Sequence, residues 1–125
     1  MPTATAVSFF IPRTPVVQSK DKRWTPYRHQ QWGMWVSGLR LWGRDNGPIK
    51  DEIDYPIHIK ATVRWPRTGV EIDEQRPGQW AIGVKDGLSR SKLVATDLIK
   101  DVEVGWELVS VERCGTLVEI SPFDD

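Results

Sequence analysis

From Ile57 to Trp65 apolar and polar residues alternate without a break. Ile57, Ile59, Ala61, Val63 and Trp65 are separated by His58, Lys60, Thr62 and Arg64. A period of two puts each set on its own side of an extended chain, so the stretch predicts a strand with one dry face and one basic face. Pro66 to Gly69 ends it. Val102, Val104, Trp106 and Leu108 alternate in the same way and predict a strand over Val102–Val111. Two short β-rich runs predict a first and a last strand: Val7–Ile11, stopped by Pro12, and Leu117–Ile120.

Helical spacing occurs twice. Thr25-Pro26 supplies a capping threonine and a proline for the first helical position. Behind it Trp32, Trp35 or Val36, Leu39 and Trp42 recur on one face. Gly33 and Gly38 each weaken this helix by up to about 1 kcal/mol relative to alanine, or else permit close packing. A second helix is predicted over Pro77–Ser89, with Trp80 or Ala81, Val84 and Leu88 inward, while Gly83 and Gly87 leave its length open. Pro12–Arg23, with two prolines and four basic residues, predicts an exposed loop. Gly43–Pro56 predicts a polar connection with a turn at Gly47-Pro48. The order β, α, β, α, β, β has no internal repeat. It predicts a single α+β domain over residues 1–125, a mixed sheet with helices packed on one face.

Composition narrows the class. Charged residues make up 27% and hydrophobic ones 39%, as in a soluble globular domain. No apolar run approaches the roughly 20 residues of a membrane span, and no basic-then-apolar leader opens the chain. Cys114 is the sole cysteine, which excludes an internal disulfide and a cysteine-based zinc site and fits a reducing, cytoplasmic setting. Seventeen basic and seventeen acidic residues cancel. A nucleic-acid partner therefore requires the cations to be sorted onto one face. Seven tryptophans point to core packing or a dimer contact.

Candidate chemistry rests on carboxylates. Glu71 and Asp73 are two apart just beyond the central strand, so an extended backbone aims both the same way. Asp97 opens the next predicted strand, and Asp101 follows. Carboxylates at strand ends suit magnesium, a hard cation that prefers oxygen ligands. Alone, two such acids read as a solvated loop. Arg13, Lys20, Lys22, Arg23 and Arg28 interleave with Trp24 and Tyr27, a mixture that suits phosphates and unpaired bases or an ordinary charged loop. His29 and His58 have no metal spacing. No phosphate-binding glycine loop or nucleophilic serine or cysteine motif is present.

The order of these features resembles the RusA-type Holliday-junction resolvases of phages and prophages. Phe9-Phe10-Ile11-Pro12-Arg13-Thr14-Pro15 is similar to the family's Phe-x-Ile-Pro-x-x-Pro opening, and Lys20–Pro26 to its basic stretch before a Thr-Pro helix start. Glu71-Ile72-Asp73-Glu74 occupies the place of Asp-x-Asp-Asn, Asp86-Gly87-Leu88 that of Asp-Gly-Leu, and Thr96-Asp97 that of an Asp-Asp pair. The resemblance runs from about Val7 to Ile120.

It implies a homodimer that nicks four-way DNA junctions in recombination and repair, with magnesium or alternatively manganese. Glu71, Asp73 and Asp97 are then the expected metal ligands. Lys85 or Arg76 stands in for a family lysine, whose place Pro77 takes here. Arg13, Lys20, Lys22, Arg23 and Arg28 are the expected DNA contacts. Glu71, Glu74 and Thr96 depart from the family residues. These departures motivate two alternatives: a protein of this fold that binds branched DNA or a protein partner without cleaving, and one whose tryptophans form a partner surface.

Overall fold

The computed structural model describes residues 6–17, 26–68, 71–72 and 74–123. Four strands, β1 (Val7–Ile11), β2 (Ile57–Pro66), β3 (Ile99–Val109) and β4 (Gly115–Pro122), form one mixed sheet in the order β1-β4-β2-β3. Strand β4 runs antiparallel to both β1 and β2, whereas β2 and β3 are parallel. A parallel neighbour needs a crossover, and helix α2 (Arg76–Arg90) supplies it between β2 and β3. Helix α1 (Pro26–Leu39) connects β1 to β2. The chain is an α+β domain with two helices against a mixed sheet, as the alternation predicts.

The alternation of β2 decides where the core lies. Ile57, Ile59, Ala61 and Val63 are fully buried, and Leu39, Trp35, Val84 and Leu88 close over them from the two helices. Burying each large aliphatic side chain is worth about 1.5–3 kcal/mol relative to exposure. Between Trp35 and Val36, left open by periodicity, it is Trp35 that is buried, and its indole Nε1 donates to the Gly83 carbonyl at 3.0 Å. Gly87 permits this approach. A Cβ there would stand 2.6 Å from both the Trp35 Nε1 and the Leu39 Cδ1. Helix α2 then ends on Lys92 in the left-handed region (φ 60°), with the Leu93 N–H reaching back to the Leu88 carbonyl at 3.0 Å.

The stretch between α1 and β2 is less of a polar loop than Gly43–Pro56 predicts. Helix α1 continues as a π-helical turn over Arg40–Asp45, closed by the Asn46 N–H on the Leu41 carbonyl at 2.7 Å. Ile49 and Ile53 are buried, and the Ile53 N–H donates to the Leu93 carbonyl at 2.8 Å. Single apolar residues in a polar stretch carry no period, so sequence alone leaves them unread.

The other sheet face carries charge instead of helices. His58 Nδ1 lies 2.7 Å from the Asp101 carboxylate and Arg64 Nε 2.8 Å from that of Glu107, each pair spanning β2 and β3. No described helix is long and apolar enough to cross a membrane.

Candidate nucleic-acid interface

Beyond Val63 the inward face of β2 outruns its apolar cover, and aromatic and cationic side chains take over. Trp65 and Trp80 pack with ring centroids 5.4 Å apart, and Trp80 and Trp106 at 6.4 Å. Trp80, only 3% exposed, anchors the group from α2. Arg76, one turn earlier on the same helix, places its guanidinium 4.9 Å from the Trp65 ring centroid. Trp65 is held at that end of the sheet by its register with Leu108.

Two adjoining cavities open beside this cluster. The larger, about 640 Å³, lies between α1, α2, the end of β2 and the segment after β1; Arg28, Gln31, Arg76 and Gln79 line it together with Trp65 and Trp80. The smaller, about 370 Å³, shares Thr14, Val16 and Gln31 with it and adds Arg13 and Tyr27. The Gln31 Nε2 donates to the Tyr27 hydroxyl at 2.7 Å, which leaves the Gln31 carbonyl oxygen as a ready acceptor. Among the described residues no carboxylate lines either cavity. The chain has no net charge, yet Arg13, Arg28 and Arg76 gather on this one side. A third cavity of about 300 Å³ abuts the same Trp65 and is lined by Arg67, Glu71, Ile72, Trp106 and Leu108.

Two of the expected ligands, Glu71 and Asp97, are not brought together within one chain. Glu71 is exposed at the end where β2 and β3 finish, beside Trp65 and Leu108. Asp97 is exposed in the 3₁₀ turn Thr96–Leu98, immediately before β3 begins at Ile99, which pairs with Ile57 at the start of β2. Parallel strands therefore hold Glu71 and Asp97 at opposite ends of the sheet, on the order of 25 Å apart at ~3.3 Å per strand residue. A magnesium ion needs its ligand oxygens within about 2.1 Å. Three carboxylates including both residues do not fit one ion in a single chain, and among the described residues no three His, Cys, Asp or Glu side chains group as a metal site. Asp101 faces the other side of the sheet, against His58.

Lys85 is exposed on α2 nine positions after Arg76, two and a half turns away at 3.6 residues per turn, so it points from the opposite side of the helix. Of the two candidates for the family lysine, Arg76 is the one near Glu71: both border Trp65. Of the expected DNA contacts, Arg28 lines the larger cavity and Arg13 the adjoining smaller one. Asp73, Lys20, Lys22 and Arg23 lie outside the described residues. Sequence reasoning missed Trp65, Gln79 and Trp80 as site residues, although Arg76 and Trp80 at helical spacing, after a strand ending in tryptophan, were a usable signal.

The sequence matches no family model and no curated protein.

Proposed function

We propose that the chain is a RusA-like domain that binds branched DNA, with a strand backbone held along Arg13 and Arg28 and reinforced by Lys20, Lys22 and Arg23. One observation carries this reading: in a chain of zero net charge, two adjoining cavities are lined by arginines, glutamines and tryptophans with no carboxylate among their described residues. Phosphates are drawn to cations and repelled by acids, and unpaired bases at a branch need flat surfaces. A cytoplasmic protein acting on chromosomal or phage DNA fits the lone thiol.

A second reading, magnesium-dependent nicking of four-way junctions, is favoured by Glu71, which borders the same Trp65 as the cationic cavity. Because Asp97 lies at the far end of the sheet, this reading requires a homodimer in which Asp97 comes from the second copy to join Glu71 and Asp73. A two-fold axis would then give two equivalent shared sites, as symmetric nicking of a two-fold junction needs.

Incubating the purified protein with labelled four-way and linear DNA, with and without magnesium, tests both. Binding predicts retention of four-way DNA in preference to linear DNA in the absence of metal. Nicking predicts paired incisions that appear only when magnesium is added. Equal affinity for the two DNAs refutes the structure-selective reading.

A further inference from the structure

We infer that the 640 Å³ cavity is a pocket for a single unpaired nucleotide, in which the base stacks on the Arg76 guanidinium and the adjacent phosphate meets Arg28. This rests on the DNA-binding reading and names what that surface would select. The size suits it, since pockets for small ligands run about 300–1,000 Å³. The chemistry suits it as well.

Arg76 lies over the Trp65 ring at 4.9 Å, and Trp65 is braced by Trp80 in a tilted contact at 5.4 Å, so the guanidinium rests on a supported ring. A base placed on its outer face would sandwich the guanidinium against Trp65, because guanidinium planes and base π-faces pack flat against one another. Trp80 is too deeply buried to meet a base itself; it fixes the platform. Gln79 lies three residues after Arg76 on the same helix face, and Gln31 stands across the cavity with its carbonyl oxygen available. Both supply amide groups that can hydrogen-bond a base edge. Arg28, exposed at the cavity wall, supplies the positive charge that a phosphate requires.

Duplex DNA cannot fill such a recess, because its bases are paired and stacked. A strand with an extruded or unpaired nucleotide can, and branch points are where such nucleotides occur. The pocket would therefore make the protein prefer junctions with an unpaired nucleotide at the branch over fully paired ones.

The test compares three labelled DNAs of equal length: a duplex, a four-way junction with one unpaired nucleotide at the branch, and the same junction with that nucleotide abasic. Wild-type protein should bind the junction with the unpaired base about ten-fold more tightly than the abasic one, the scale of one base–aromatic stack. Arg76→Lys keeps the charge but loses the planar fork. It should erase that ten-fold difference, so that the variant binds the base-containing and abasic junctions equally. 2-Aminopurine at the unpaired position should change fluorescence on binding to wild type and not to the variant. Equal wild-type affinity for the base-containing and abasic junctions overturns the pocket but leaves branched-DNA binding intact. Failure to prefer either junction over duplex removes the underlying reading itself. Because the abasic comparison uses unaltered protein, it decides the matter even if Arg76→Lys misfolds.

Discussion

Gly87→Ala is the sharpest test of the packing that holds α1 and α2 together. Alanine normally gains about 1 kcal/mol over glycine in a helix interior. Here the added Cβ would stand 2.6 Å from the Trp35 Nε1 and 2.6 Å from the Leu39 Cδ1. Ordinary carbon contacts lie at about 3.5–4.0 Å, so each neighbour must retreat by roughly 1 Å. Both are fully buried, and the indole is rigid. Its displacement would also stretch the 3.0 Å bond to the Gly83 carbonyl beyond bonding distance. Overpacking costs about 1–3 kcal/mol and a stranded buried donor about 1–3 more. After subtracting the helical gain, the net loss should be about 1–5 kcal/mol. Gly33→Ala is the matched control, because a Cβ at Gly33 meets nothing within 4 Å; it should stabilise by up to about 1 kcal/mol. Urea unfolding of the two variants reads the difference directly. With m of about 1–3 kcal/mol/M, a difference of at least about 1 kcal/mol separates their midpoints by about 0.3 M or more. A Gly87→Ala protein as stable as wild type would show that the helices do not meet at this glycine.

Three further outcomes concern other parts of the molecule. Lys92→Gly, at the left-handed position closing α2, should raise stability by about 1 kcal/mol in the same urea assay, since a side chain there is strained. Asp73→Asn and Asp97→Asn should each abolish magnesium-dependent nicking while preserving junction binding. If sites are shared between subunits, mixing the two inactive chains should restore about a quarter of the wild-type sites, because half the dimers are mixed and each has one intact site; a mixture that stays inactive would place all ligands in one chain. Cys114, whose thiol is pushed up by burial and then by the Glu112 carboxylate, should remain largely protonated at neutral pH and react slowly with iodoacetamide, faster only as pH rises; rapid alkylation at pH 7 would contradict this.

The sheet was readable wherever a side-chain period survived. Ile57 to Val63 alternate in sequence and alternate in burial, and Trp80, Val84 and Leu88 keep their spacing on α2. Boundaries were less legible. Strand β3 begins at Ile99 rather than Val102, because its start is fixed by pairing with Ile57 and not by its own pattern. The π-helical turn after α1 and the buried Ile49 and Ile53 depend on contacts with residues some forty positions away, such as Leu93. The same limit applied to the site. Arg13 and Arg28 were legible as cations, but a linear sequence does not say that Arg76 lies on Trp65 while Lys85 faces away. Nor does spacing reveal that a parallel crossover puts Glu71 and Asp97 at opposite ends of the sheet.

The central claim is that DNA is held on the arginine-lined face. Its most direct test is the salt dependence of four-way junction affinity in two double variants. Each phosphate that is no longer neutralised should flatten the log-affinity against log-salt slope by about one unit. Arg13→Ala with Arg28→Ala should therefore reduce the slope by about two units and weaken binding at low salt. Lys60→Ala with Lys85→Ala removes the same charge from the open sheet face and the far side of α2, and should leave the slope unchanged. An unchanged slope in the arginine pair, or an equal reduction in both pairs, would contradict the assignment of this face to DNA.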